Sequence, residues 1–385
     1  MTVSRLAGMV GIGVDKMGAA ADLAGDRSIL RLENLDTDLR PPPGVVEATR
    51  EAVDRDDANS YLPFLGADEL RRAAGELVSR TSGVEYDWNR STLITAGGLA
   101  GIFNVLLAVL EPGDEVVLTD PIYVGLTNRV RLAGGVPKFV PCVVEDGVWR
   151  LDRDALAVVV GPRTRAFLMM SPAMPTGAVL TREDWSAVCE ACRDAGAWMI
   201  YDSAMERILF DGLEPIHPAS FPGMAERTIT VGAVSKEYRM IGWRVGWVVA
   251  PPGIVDDVGL VSISNVVCNV GIAQAAAAIA LAAPDSDVAA ATAEWQARRD
   301  LLLGELDGYP LVKPEGGWSL LLDASRLEMT GAEASARLME HGKVAATPMT
   351  GWGSESSAKY LRLVFSNEPR ERLAGVRQRF DAALG

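Results

Sequence analysis

The sequence predicts an α/β fold: a large domain with a mostly parallel sheet sandwiched by helices, plus a smaller α+β domain built from the C-terminal part and an N-terminal arm. Three features predict it. The candidate strands are near-continuous apolar runs, the pattern of strands buried on both faces. They alternate with segments of helical length through the middle of the chain. After residue 284 the pattern changes to a charged amphipathic helix, two strand patterns and a terminal helix. The predicted division is an arm over 1–40, a large domain over 41–284 and a small domain over 285–385.

Each element has its own reason. The proline-rich run 40–44 (RPPPG) ends the arm, and a helix starts within 44–55. Residues 91–98 (STLITAGG) read as a strand entering a turn, and 99–110 have helical length. Segments 114–123, 134–143 and 165–177 read as strands that end in loops or turns. Over 181–196 a helix is expected, with Thr181 as its N-cap. Further strands fall within 197–202, 228–236 and 242–251. The alanine-rich run 266–284 is interrupted by Asn269, Gly271 and Gln274, and reads as a buried soluble helix rather than a membrane span. Residues 291–308 carry the amphipathic helix, and 314–325 and 359–366 the strands of the smaller domain.

Composition narrows the function. A chain of 385 residues, 49% hydrophobic, can bury a large core. Its 37 Lys and Arg against 51 Asp and Glu give a net charge of -14, which argues against nucleic acid as a partner but leaves room for a local basic pocket. The apolar stretch 6–14 has no cleavage pattern, so no secretory signal is read there. The Gly-x-Gly of residues 8–18 follows no strand and is assigned to an arm or lid rather than to a nucleotide. Cys189 and Cys192 lie three apart on one helix face with no second pair, so neither a metal nor a redox role is assigned. Four thiols in so long a chain point to a reducing, cytoplasmic setting.

In open α/β sheets ligands sit beyond the carboxyl ends of the strands. Here those ends carry Gly97-Gly98, Asp120 to Tyr123, Pro175 to Gly177, Asp202, and Ser235-Lys236. A lysine at the mouth of a buried strand can lose its charge and become a nucleophile. Pyridoxal 5'-phosphate needs such a lysine, a carboxylate for its ring nitrogen, an aromatic face, and a phosphate cradle of backbone N–H groups with a cation. Lys236, Asp202, Tyr123, the turn TAGGLAG before a helix, and Arg244 supply that set.

With these residues in place the chain resembles the class I/II aminotransferases of the aspartate aminotransferase superfamily. The resemblance runs from about Ile29 to the C-terminus and is densest in SKEYRMIGWRVGW, DSAMERILFDG, PGDEVVLTDPIY, PEGGWS and YLRLVFS. It implies amino-group transfer between an α-amino acid and a 2-oxo acid through a Lys236 Schiff base. A non-transaminating reaction of the same cofactor, such as elimination, substitution, cyclisation or oxidation, is the alternative. It further implies that Asp202 meets the ring nitrogen, Tyr123 stacks on the ring, and Gly97, Gly98, Leu99 and Arg244 hold the phosphate. Tyr61 would reach the phosphate of a neighbouring subunit in a homodimer, and Arg362 would clamp the substrate α-carboxylate.

The departures from the family pattern are specific. Met174 stands where the family has asparagine and Met205 where it has tyrosine, so two donors to the cofactor's phenolic oxygen become thioethers. Ala233 and Leu99 remove hydroxyls from the phosphate side, and Leu35 replaces a glycine that touches substrate. Two readings stay open: drift that leaves ordinary transamination intact, or a re-tuned cofactor in an apolar, adaptable pocket formed with Trp352. No second arginine for a substrate side-chain carboxylate is placed, with Arg40 and Arg129 as the candidates.

Overall fold

The computed structural model describes residues 6, 9, 11 and 13–385, except the side chain of Asp15. Most of residues 1–12, where the Gly-x-Gly stretch and the absence of a signal were read, lies outside the described residues. The described chain starts with helix α1 (Val14–Ala24). Helices α2 (Val45–Val53) and α3 (Asp68–Ser82) then lead into the main sheet.

Among the described residues, eight strands make that sheet: β1 (Thr92–Thr95), β2 (Glu115–Asp120), β3 (Val136–Glu145), β4 (Val148–Leu151), β5 (Thr164–Met170), β6 (Trp198–Asp202), β7 (Thr228–Ala233) and β8 (Gly246–Val249). Their spatial order is β1-β8-β7-β6-β5-β2-β3-β4. Strands β7, β6, β5, β2 and β3 run parallel; β8 is antiparallel to both β1 and β7, and β4 is an antiparallel edge. Strands β1, β2 and β7 are buried at every position, which is why they read as continuous apolar runs rather than alternating ones.

This topology collects one end of the sheet into a single edge. The carboxyl ends of β1, β2, β5, β6 and β7 all lie there. The reversed β8 brings its amino end to the same place, with Gly246 paired across to Thr95 on one side and Ala233 on the other. Helices α4 (Gly98–Val109) and α5 (Val124–Leu132) begin at that edge, directly after β1 and β2. Helix α6 (Arg182–Asp194) starts at a capping box, in which Thr181 and Asp184 each accept the other's backbone N–H.

A second sheet belongs to the smaller domain. Strands β9 (Leu311–Val312), β10 (Ser319–Asp323), β11 (Thr347–Pro348) and β12 (Tyr360–Val364) pair antiparallel in the order β9-β10-β12-β11. Leu30–Arg31 pairs parallel with Val344–Ala345, which ties the segment after α1 to this part of the molecule. The long helix α9 (Asp285–Glu305) follows α7 (Pro252–Val266) and α8 (Gly271–Leu281).

One expectation needs correction. The run 266–284 is not one helix: α7 ends at Val266, Val267 takes a positive φ of 62°, and α8 begins at Gly271. Asn269 explains the break, because its side-chain amide donates to the carbonyl of Ile94 at 2.7 Å inside the protein. Among the described residues no helix is long and apolar enough to cross a membrane, and no cluster of His, Cys, Asp and Glu could hold a metal. The Cys189 and Cys192 thiols are buried and pushed up to about 12 by desolvation.

His217 anchors β6 to β7 from below. Its Nδ1 accepts the backbone N–H of Ala219 at 3.1 Å, so Nε2 carries the hydrogen and donates to Thr230 Oγ1 at 3.2 Å. Its ring packs edge-on to Tyr201, 4.9 Å away. A second proton would have to sit on Nδ1 facing another N–H donor in a dry site, and burial pulls the pKa down to about 3. The unfolded chain takes that proton near the ordinary value of 6.5, so the stability held above pH 6.5 is lost as pH falls toward 3. Between pH 7.5 and 5.0, His217 should account for about 2 kcal/mol of the fall in unfolding free energy. Urea unfolding of His217→Gln at the two pH values should show a correspondingly smaller fall than the native protein.

Candidate active site

The edge where the strands end opens into a cavity of about 300 Å³. Asp202 enters it as the last residue of β6, and Lys236 as the third residue after β7. Leu35, Gly98, Leu99, Tyr123, Met174, Met205, Arg244 and Arg362 line it with them.

Asp202 is 7% exposed, and its Oδ1 accepts the backbone N–H of Ala204 at 3.1 Å. Burial raises its pKa to about 6, against the opposing pull of that N–H and of Lys236 and Arg129. Lys236 donates from Nζ to the carbonyl of Leu35 at 2.7 Å and lies 4.6 Å from the centre of the Trp318 ring. Burial lowers its pKa to about 7; Asp36 opposes this, and Arg362 and Arg244 reinforce it. The pair is therefore an acid and an amine held close to neutral by one dry site, with no ion pair between them within 4.0 Å.

The turn between β1 and α4 is shaped for a large anion. Gly97 has a φ of 87°, and a Cβ there would collide with the Arg244 guanidinium. Arg244, itself in the left-handed region, donates from Nη1 to Ser235 Oγ at 3.3 Å and to the Ile241 carbonyl at 2.8 Å. The N-terminus of α4 faces the same space, with Ser235 as the one aliphatic hydroxyl of the lining among the described residues.

Arg362, on β12, is 1% exposed. Its Nη2 donates to the Glu33 carbonyl at 2.5 Å, its Nη1 lies 3.9 Å from the Met174 sulfur, and its Nε has no partner. Burial brings its pKa down to about 10, so it stays cationic at neutral pH. The Trp352 ring lies beneath it, 4.8 Å from the guanidinium carbon, and meets the Tyr123 ring edge-on at 5.4 Å.

Three sequence-predicted residues lie elsewhere. Trp352 is fully buried and does not line the cavity; it packs behind Tyr123 and Arg362, held there because its carbonyl accepts the N–H of Ile122. Gly97 stands just outside the lining, next to Arg244. Tyr61 is 81% exposed and takes no part in this chain's own cavity. Of the two arginines considered for a side-chain carboxylate, Arg40 and Arg129, neither lines the cavity. Sequence reasoning missed Val14, Asn34, Met170 and Ile241, which do. Met170 ends a strand and was within reach of the strand-end rule; Val14 arrives from α1, and nothing local marks it.

The residues fit pyridoxal phosphate. An uncompensated buried carboxylate, a neutralisable amine, and a glycine turn closed by a guanidinium match the group's ring nitrogen, aldehyde and phosphate in turn. A profile of the family described as Aminotransferase class I and II matches residues 30–380. The chain belongs to the class I and II aminotransferases. It is a pyridoxal-phosphate-dependent enzyme of that family, with the family's large, mostly parallel central sheet and smaller antiparallel domain.

Among its relatives is an arginine–pyruvate transaminase of Pseudomonas aeruginosa, 32% identical over 91% of this chain and 89% of that protein. A probable N-succinyldiaminopimelate aminotransferase of Mycobacterium tuberculosis is 35% identical over 91% and 88%. The solved structure of N-succinyldiaminopimelate aminotransferase from Mycobacterium tuberculosis superposes with a TM-score of 0.93 at 32% identity, covering 100% of both chains. Aspartate aminotransferase of Thermus thermophilus with maleate gives 0.91 at 30%, also covering 100% of both.

Gly246 gives this site its sharpest steric test. A Cβ there would stand 2.6 Å from both the Gly97 carbonyl carbon and the Gly98 nitrogen, atoms of the turn's backbone that cannot swing aside. Overpacking of this kind costs about 1–3 kcal/mol. Gly246→Ala should keep its far-UV circular dichroism and bind pyridoxal phosphate roughly tenfold or more weakly by equilibrium dialysis.

Proposed function

We propose that this aminotransferase moves the amino group of a monocarboxylic α-amino acid with an apolar side chain to a 2-oxo acid, with Lys236 as its proton carrier. The convergence of Lys236, Asp202 and Arg362 in one cavity carries this reading. Pyridoxal phosphate, when bound, supplies the electron sink that makes the substrate Cα–H acidic. Asp202 would face the ring nitrogen, where its charge favours the protonated ring. Tyr123 would provide the aromatic face, and Gly97, Gly98, Leu99 and Arg244 the phosphate cradle.

Lys236 is suited to taking a proton at the substrate Cα, because burial holds its pKa near the working pH. The Leu35 carbonyl accepts from the amine and steadies it. Arg362 would orient the substrate by its α-carboxylate through the unpartnered Nε, and the Trp352 ring behind it keeps the guanidinium in plane. Met174, Met205, Leu35 and Ile241 give the rest of the wall an apolar, water-excluding character. Among the described residues Arg244 and Arg362 are the arginines in the lining, and both are engaged by the cofactor phosphate and the α-carboxylate in this reading, which disfavours a side-chain carboxylate.

The working unit is proposed to be a homodimer. Tyr61 and Phe64 are exposed on a segment that packs against the α7–α8 junction, where Leu260, Val266, Val267 and Val270 are exposed too. A second copy covering this surface would bring Tyr61 to the neighbouring phosphate site. The division proposed for the chain is an arm over 1–40, a cofactor domain over 41–284 and a small domain over 285–385. Four free cysteines support a reducing, cytoplasmic setting.

With pyruvate as acceptor, alanine formation from leucine, methionine or phenylalanine should exceed that from aspartate or glutamate by roughly tenfold or more in kcat/KM, because a buried unpaired carboxylate is costly. Lys236→Ala should form no alanine from any donor; a fully active variant would overturn the assignment, and a preference for aspartate would overturn the substrate class alone. Light scattering should give twice the mass of one chain, and Phe64→Glu should shift it to the monomer with loss of retained cofactor.

A further inference from the structure

The phosphate end of the cavity has a feature that no role above absorbs. Arg129, on α5, donates from Nε to the Leu99 carbonyl at 3.0 Å and from Nη1 to the Gly125 carbonyl at 2.7 Å. Leu99 is the second residue of α4 and Gly125 the second residue of α5. The guanidinium thus bridges the first turns of two helices whose positive ends meet at the site. We propose that Arg129, standing just outside the cavity lining, is a second cation of the phosphate site, acting through space with Arg244 on the cofactor's phosphate and fixing the helix that presents the turn Gly97–Leu99.

Three observations carry this. First, burial and neighbouring positive charge work against this guanidinium, and Tyr123 and Asp202 offset them in part. Helix N-termini carry partial positive charge and repel a guanidinium, and Arg129 also lies within electrostatic reach of Arg244. Second, no carboxylate pairs with Arg129 within 4.0 Å among the described residues. Buried arginines away from the cavity are paired, with Arg207, Arg239, Arg298 and Arg299 each holding a carboxylate at 2.6–2.9 Å, whereas Arg362 in the cavity is, like Arg129, left without one among the described residues. Third, among the described residues the lining offers one aliphatic hydroxyl, with alanine at position 233. A phosphate monoester carries close to two negative charges at neutral pH. Arg244 answers one of them and Arg129 the other.

Gly125 belongs to the same arrangement. A Cβ at that position would run into the Tyr123 ring, so the glycine lets the ring lie over the first turn of α5 while Arg129 holds that turn by its carbonyl.

The inference rests on the cofactor reading, and the test separates the two. Apo-enzyme is titrated with pyridoxal phosphate and, separately, with pyridoxal, which lacks the phosphate, following tryptophan fluorescence. Arg129→Gln keeps a donor for the carbonyls and drops the charge; Arg129→Lys keeps the charge. Arg129→Gln should weaken pyridoxal phosphate about tenfold or more and pyridoxal by less than about twofold. Arg129→Lys should recover most of the lost affinity. Unchanged affinity for pyridoxal phosphate in Arg129→Gln would overturn the proposal, and so would equal losses for both ligands, which would mark a purely structural role. If Arg129→Gln does not fold, Arg129→Lys decides alone: retained pyridoxal phosphate affinity supports the charge, and a loss shared by both ligands overturns it. Failure of the native apo-enzyme to bind pyridoxal phosphate would instead sink the cofactor reading.

Discussion

Two ionisable groups, the Asp202 carboxylate and the Lys236 amine, are buried at the ends of neighbouring parallel strands without pairing to each other. Everything near them follows from keeping that arrangement. An acid raised to about 6 and an amine lowered to about 7 are each destabilising to a folded chain that could otherwise solvate them. Here Asp202 is fixed at the end of β6, whose register is set by β5 and β7, and Lys236 by a hydrogen-bonded turn directly after β7, which lies between β6 and β8. The sheet's rigidity keeps the charges dry, and it is the reason the site lies at the strand ends.

The same constraint explains how charge is distributed through an acidic protein. Buried arginines away from the cavity are cross-links. Arg298 joins Asp38 and Glu294, Arg239 joins Asp287, and Arg299 joins Asp211 and Asp300 while lying over the Phe210 ring. Arg298 and Arg239 in this way bind the segment before α2 to the helix α9 and its surroundings, since Arg239 also donates to the Arg40 carbonyl. At the cavity the pattern reverses. Among the described residues Arg244 and Arg362, which line it, and Arg129, just outside the lining, bond to carbonyls, hydroxyls or a thioether, all of which orient a guanidinium without neutralising it. In a chain whose net charge is -14, unneutralised cations at the cavity make it the place where an anion gains most.

The sequence exposed this plan wherever chemistry coincided with a strand end. Asp202, Lys236, Tyr123 and Gly98 follow apolar runs whose length and continuity already mark buried parallel strands, so their convergence was readable from pattern alone. Residues that act through another residue gave no such signal. Trp352 looks in sequence like one more pocket aromatic; only the fold shows it turned behind Arg362 and Tyr123. Arg129 sits inside an ordinary-looking helix, and its meaning depends on which carbonyls the next helix presents. The break at Val267 was hidden for a related reason. The alanine-rich sequence after the break favours helix and runs on from an apolar segment, and the interruption is caused by a tertiary hydrogen bond from Asn269 to β1 that no local propensity contains.

The methionines gain meaning from what surrounds them. Met205 is 2% exposed, Met174 lies against the Arg362 guanidinium, and both line the cavity together with the buried acid and the carboxylate clamp. A tyrosine or asparagine there would be a fixed donor with a fixed partner. A thioether asks for no hydrogen bond and adapts its rotamer to what it touches. That choice removes a polar anchor from the middle of the cavity and leaves orientation to its two ends, the phosphate turn and Arg362. Binding energy is then gathered at the ends, while the centre, next to the amine of Lys236, stays apolar enough to hold that amine's pKa down.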